Sequence, residues 1–110
     1  MINYTTPTLH LIVEAVDLTG QDVYVTLEQG HIELTKSGAD LHITTDTHDQ
    51  ITDTDIRFVL TQTESALFNY NKKALVQVNF INSTGVRDAT EIKSVNVMRN
   101  LLDEVISYGN

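Results

Sequence analysis

Ala74 to Val97, ALVQVNFINSTGVRDATEIKSVNV, reads as two strands joined by a turn, and its reading decides the fold. Ala74, Val76, Val78 and Phe80 alternate with Leu75, Gln77, Asn79 and Ile81, and a side-chain period of two places each set on its own face of a sheet. The first face is wholly apolar. Asn82, Ser83, Thr84 and Gly85 follow, small or polar residues suited to a hairpin loop, with Gly85 free to take a positive φ. Val86 to Val97 then carries the chain back. On this return Ala89, Thr90 and Ile92 fall out of phase with Val95 and Val97, so one extra residue, a β-bulge near Lys93 and Ser94, is expected.

Further short strands lie on either side. Upstream, Leu9, Leu11, Val13 and Ala15 alternate through Thr8 to Val16 as a first strand, and Asp17 to Gln21 form a turn in which Asp17 suits an Asx hydrogen bond. DVYVTLEQ, Asp22 to Gln29, is a second strand with Val23, Val25 and Leu27 on one face and Tyr24, Thr26 and Glu28 on the other. Ile32 and Leu34 mark a third strand, Ser37 to Asp40 a turn, and Leu41 and Ile43 a fourth; their polarity gives the third and fourth an edge character. Thr44 to Asp55, TTDTHDQITDTD, has the composition of a solvated loop. Ile56, Phe58 and Leu60 form a fifth strand. Thr61-Gln62-Thr63-Glu64 then matches a capping box, so a helix of one or two turns should run through Phe68, with Leu67 and Phe68 filling the gap between two sheets. The fold class expected is an all-β, immunoglobulin-like antiparallel sandwich of about seven strands with one short helical turn.

A chain of 110 residues has the length of one domain. We assign residues 1–110 to a single sandwich, with an N-terminal arm at 1–7 and a C-terminal aliphatic arm at 98–110. In that second arm Leu101, Leu102, Val105 and Ile106 recur at helical spacing behind Asn100, a possible cap, so it forms either a short helix or an extended arm. Leaving four large aliphatic side chains in water costs about 25 cal/mol per Å² of apolar surface, so the arm should dock on its own domain or on a neighbour.

With 15 acidic residues against 7 basic ones and a net charge of -8, the chain is ill suited to phosphate backbones or anionic lipid, and neither nucleic acid nor membrane is an expected partner. Cysteine is absent, which removes thiolate zinc sites and thiol nucleophiles. No run approaches the length of a membrane span and Met1 to Pro7 lacks the features of a secretion signal, so the expected location before assembly is a cytoplasm.

Few residues offer chemistry. Asp46, Asp49, Asp53 and Asp55, with His48, could present oxygen ligands to a hard cation, but their spacing departs from the calcium loop and no glycine stands at its turn; a solvated charged loop is the favoured reading. His10, His31, His42 and His48 are scattered, as are Tyr4, Tyr24, Tyr70 and Tyr108. Ser65 lacks a nucleophile motif and Gly20 a phosphate-loop context. No base, nucleophile and orienting group can be named together, so neither enzymatic activity nor a cofactor is expected. The sequons at Asn3 and Asn82 carry no weight for a chain expected to remain in a cytoplasm.

Leu18-Thr19-Gly20, Leu60-Thr61-Gln62 and Ala89-Thr90-Glu91, in the order of pieces DVYVTLEQG, IRFVLTQTESALF, VQVNFI, ATEIKSVNV and NLLDEVI, resemble a family of small phage and prophage virion-region proteins of Gram-positive hosts. The resemblance runs from about Thr6 to Ile106. A more distant likeness is to the N-terminal domain of phage baseplate upper proteins, whose long receptor-directed remainder has no counterpart here. The resemblance implies a structural protein of the virion that assembles with itself or with other phage structural proteins. Leu101, Leu102, Val105 and Ile106 are the partner-binding residues expected, with an edge strand such as Ile32 to Lys36 as a second means of contact. Two other classes stay open: a small acidic intracellular inhibitor that mimics nucleic acid, and a module binding carbohydrate or a host surface, which would need aromatic platforms.

Overall fold

Strands β2 (Asp22–Gln29) and β6 (Ala74–Ile81) pair antiparallel at the centre of one sheet in the computed structural model, which describes residues 1–107. Val25 opposes Val78, Leu27 opposes Val76 and Val23 opposes Phe80, so the apolar faces read from the sequence meet across the pair. Val25 and Leu27 are fully buried. Strand β3 (Ile32–Ser37) lies outside β2 and forms one edge of the sheet, as its polarity predicted. Tyr108 and the last residues of the arm assigned to 98–110 lie outside the described residues.

The return from the Asn82–Gly85 turn is divided into β7 (Arg87–Ala89) and β8 (Lys93–Val95), both paired with β6. Three steps along β6, from Asn79 to Val76, are matched by four steps from Ala89 to Lys93, so one extra residue is present. It falls within Thr90–Ile92 rather than at Lys93 and Ser94. Thr90 makes the irregularity tolerable: its amide donates to the Val78 carbonyl at 2.9 Å, and its hydroxyl accepts the Val78 amide at 3.1 Å. Gln77 donates its side-chain amide to the Thr90 carbonyl at 2.9 Å, so the polar groups around the bulge are satisfied.

The second sheet has the order β1 (Thr8–Val13), β5 (Ile51–Val59), β4 (His42–His48), all antiparallel. It corrects the expectation for Thr44 to Asp55, which is the tip of a β-hairpin and not an irregular loop. Asp49 and Gln50 turn the chain with φ of 49° and 65°, the two positive values that a tight two-residue hairpin requires. On the inward side Thr45 opposes Thr54 and Thr47 opposes Thr52, while Asp46 opposes Asp53 on the outer side. Threonine is β-branched and fits a pleated surface. The polarity that reads as a loop is the polarity of an exposed edge strand: β4 has no buried residue.

β1 stops at Val13, three residues short of the expected Val16, and Ala15 instead turns at φ 57° with its amide bound to Asp53 Oδ1 at 2.8 Å. The following loop is fixed by Thr54, whose hydroxyl donates to the Val16 carbonyl at 2.7 Å and accepts the Leu18 amide at 3.0 Å. Leu18 is thereby sunk into the core at 2% exposure. Replacing Thr54 with the isosteric valine strands both backbone groups in a fully buried place, so Thr54→Val should lose about 1–3 kcal/mol in a urea unfolding titration. The Asx turn expected at Asp17 is present, with the Thr19 amide and hydroxyl both on Asp17 Oδ1, and these bonds hold the Asp17 carboxyl below its ordinary value.

The helix α1 (Gln62–Ala66) begins with a complete capping box: Thr61 Oγ1 accepts the Glu64 amide at 3.1 Å, and Glu64 Oε1 accepts the Thr61 amide at 2.9 Å. Phe68 fills the interior at 1% exposure, as expected, but Leu67 does not; it is half exposed. Together with Val13, Ile56, Phe58 and Leu60 from one sheet and the inner residues of β2 and β6 from the other, Phe68 completes the single core of an immunoglobulin-like sandwich.

Lys36 reaches from β3 to place its ammonium 2.8 Å from each Glu64 carboxylate oxygen. Partial burial pushes the Glu64 carboxyl up, but the hydrogen bonds from Lys36 and Thr61, with the Lys36 charge, outweigh it and hold the group below its ordinary 4.5. A carboxyl lowered in the folded state stabilises above its unfolded pKa, and that stability is lost as pH falls through the folded value. Glu64→Gln should therefore flatten the acid limb of the stability curve below 4.5. Urea midpoints of the two proteins measured from about pH 7 to about pH 2.5 should converge as the pH falls; parallel curves would show that Glu64 is uncoupled from folding.

Candidate assembly surface

The two arms hold each other before the C-terminal one leaves the sandwich. Ile2 and Met98 form a parallel bridge, with the Asn3 amide on the Met98 carbonyl at 3.1 Å and the Met98 amide on the Met1 carbonyl at 2.7 Å. The buried Asn3 then takes the Asn100 amide on its Oδ1 at 3.0 Å, and the Asn100 side chain donates to the Asn3 carbonyl at 3.1 Å. Residues 1–7 are thus a structural part of the domain, and Val97, at 6% exposure, is the last buried residue among those described.

Beyond it the backbone is irregular to residue 107, and of the two forms open to Leu101–Ile106 the helix is not adopted. Asn100 acts in a local turn, accepting the Leu102 amide at 3.1 Å, without starting a helix. At the far end of the segment, Gln62 on α1 donates to the Ile106 carbonyl at 2.8 Å and accepts the Ile106 amide at 2.7 Å, taking the backbone groups a helix would use there and imitating a strand partner. Docking on the domain is therefore made by polar backbone contacts. The side chains named from the sequence remain in solvent, Leu101 at 86% and Leu102, Val105 and Ile106 at about half exposure. The structure gathers all four on one segment and buries none. Gln62 and Asn3, which position that segment, were missed; the capping box marks Gln62 only as a helix residue, and Asn3 stands in a stretch without pattern.

The acidic hairpin is engaged within the fold. Asp55 lies between His10 Nε2, at 2.5 Å, and Arg57 Nε, at 3.3 Å. Partial burial raises its carboxyl, and the bonds and charges of His10 and Arg57 more than compensate, leaving it below its ordinary value. Asp53 is held by the Ala15 amide, and among the described residues no three His, Asp or Glu side chains are arranged to hold a metal ion. The Ser65 hydroxyl is fully buried and donates to the Thr5 carbonyl at 2.6 Å, a structural tie between α1 and the N-terminal arm. No helix of the described residues is long and apolar enough to cross a membrane. Comparison of the chain with protein-family models, with curated proteins and with solved structures gives no match.

Proposed function

We propose that this protein is a non-enzymatic structural protein that acts by self-assembly or by docking to another component of a particle, and that the particle is a phage or prophage virion. The observation that carries the assembly reading is the C-terminal segment, where four large aliphatic side chains stand exposed on a backbone tied by Asn3, Asn100 and Gln62. Large aliphatic side chains left exposed together on one short segment mark an interaction site. The virion reading rests on the resemblance carried by Leu18-Thr19-Gly20, Leu60-Thr61-Gln62 and Ala89-Thr90-Glu91.

Sedimentation velocity over a concentration series tests assembly. The wild type should form oligomers, and alanine at Leu101, Leu102, Val105 and Ile106 together should weaken association by at least about tenfold, while the urea midpoint shifts little because none of these side chains is in the core. Unchanged sedimentation with the fold intact would remove the arm from any role in assembly. Quantitative mass spectrometry of purified phage particles tests location: a fixed copy number per capsid subunit is expected, and absence from the particle would overturn the virion reading.

A further inference from the structure

β4 closes one end of the order β1-β5-β4, so its ladder is paired on the β5 side and open on the other. Asp49 and Gln50 make a two-residue turn, which sets His48 and Ile51 as a hydrogen-bonded pair. Bonded and non-bonded pairs alternate along an antiparallel ladder, so His42, Thr44 and Asp46 also bond to β5, while Ile43, Thr45 and Thr47 turn their amides and carbonyls outward. The strand is seven residues long and keeps an unbroken register with β5. It has no lysine, proline or bulge, the usual protections of an open edge.

The side chains of this edge are complementary to themselves. When a second β4 is laid antiparallel with Thr44 on a two-fold axis, Ile43 and Thr45 exchange backbone hydrogen bonds across the junction and His42 stands opposite Asp46 on both sides of the axis. Charge singles out this register. A shift of one hydrogen-bonded step sets His42 against His48, and the opposite shift sets Asp46 against Asp40. Within one copy the same two residues face their like: Asp46 opposes Asp53, and His42, a cation when protonated, opposes Arg57. The Asp46 side chain is 81% exposed and lies 3.7 Å from His48 Nδ1, beyond hydrogen-bond reach. In a chain with net charge -8, which repels its own copies, this edge carries alternating signs that attract one.

We propose that β4 pairs with β4 of a second copy about a two-fold axis at Thr44, joining two three-stranded sheets into one continuous sheet. The contact is isologous. It uses none of Leu101, Leu102, Val105 and Ile106, so it goes beyond the arm reading and stands or falls apart from it.

The chain has no cysteine, so a single introduced thiol reports the register. Thr44 meets its own counterpart as a non-hydrogen-bonded pair with Cα atoms about 4.5 Å apart, within disulfide range. Thr44→Cys should therefore form a disulfide dimer in a glutathione buffer. Thr47→Cys, on the same exposed strand but six residues from its counterpart, or about 20 Å, should not. Sedimentation velocity gives the second readout, made with alanine at all four arm positions, where a dimer should remain. On that background His42→Asp sets carboxylate against carboxylate and should weaken the dimer by about tenfold. Adding Asp46→His restores the pairing with its members exchanged and should restore the dimer. Urea midpoints should stay close to that of the parent, because β4 has no buried residue. A monomeric arm variant, equal crosslinking of the two cysteine variants, or an exchange that fails to rescue would each overturn the β4 contact and leave the arm reading as it is.

Discussion

Phe68→Ala should destabilise the domain by about 3–5 kcal/mol, whereas Leu67→Ala, one residue earlier, should cost less than about 1 kcal/mol. Both residues follow the same short helix, and their difference is one of direction. Phe68 is 1% exposed and belongs to the core that both sheets share, so truncation removes apolar surface and leaves a cavity that two hydrogen-bonded sheets cannot close by sliding together. Leu67 is 48% exposed, so much of its side chain is in water already. Native domains have about 5–15 kcal/mol in total, so loss of the ring takes about a fifth or more of that and should lower the melting temperature on the order of 15 °C. Urea titration and calorimetry of the two variants check this contrast. A loss under about 1 kcal/mol for Phe68→Ala would mean that the sandwich closes without its plug.

The same contrast shows what local pattern can and cannot tell. The capping box fixed where α1 begins, because its two hydrogen bonds join residues three apart in the chain. Which side chain after the helix turns inward depends on where the opposite sheet lies, and that is not local information. In β2 and β6 one face is uniformly apolar, so a shift by one residue would expose all of it, and bounds and orientation were both legible. β4 has no such constraint. With no buried residue it carries no alternation of hydrophobicity, and its strand character resides in β-branching at Thr44, Thr45 and Thr47 and in the Asp49-Gln50 turn. Counting polarity, Thr44 to Asp55 was a loop; judged by β-branching and turn geometry it is a hairpin.

The candidate site was legible in a similarly divided way. Leu101, Leu102, Val105 and Ile106 stood out because large aliphatic residues near a chain end need cover. Their spacing fitted a helix, but spacing says nothing of a competitor for the backbone, and Gln62 is that competitor at Ile106. Glutamine serves as a backbone substitute at a second place, and there the consequences for stability are larger.

Gln29→Ala should lose about 2–3 kcal/mol, and Gln29→Glu at least as much at neutral pH. Gln29 ends β2 at 7% exposure and clamps the loop from α1 to β6: its Nε2 donates to the carbonyls of Asn69 and Lys72 at 2.9 and 3.0 Å, and its Oε1 accepts the Asn69 amide. One side chain thus binds three backbone groups of the loop, of which the Asn69 carbonyl also accepts the Lys72 amide at 3.3 Å. Alanine abandons all three and leaves a small void, into which water can enter to recover part of the loss. Glutamate keeps the acceptor for Asn69 but turns the donor end into a carboxylate oxygen facing two carbonyl oxygens. Burial and these carbonyls both disfavour the charged form, so the folded-state pKa at position 29 should rise above the ordinary value of about 4.3. The sign follows: an acid raised in the folded state destabilises above its unfolded pKa, and the deficit shrinks as pH falls, because the protonated acid again donates one hydrogen bond. Relative to wild type at each pH, Gln29→Glu should therefore regain stability between about pH 7 and about pH 4, while Gln29→Ala stays displaced by a constant amount. A pH-independent deficit in the glutamate variant would show that position 29 is open to solvent in the folded protein, and that the clamp is not what fixes the Asn69–Lys72 loop.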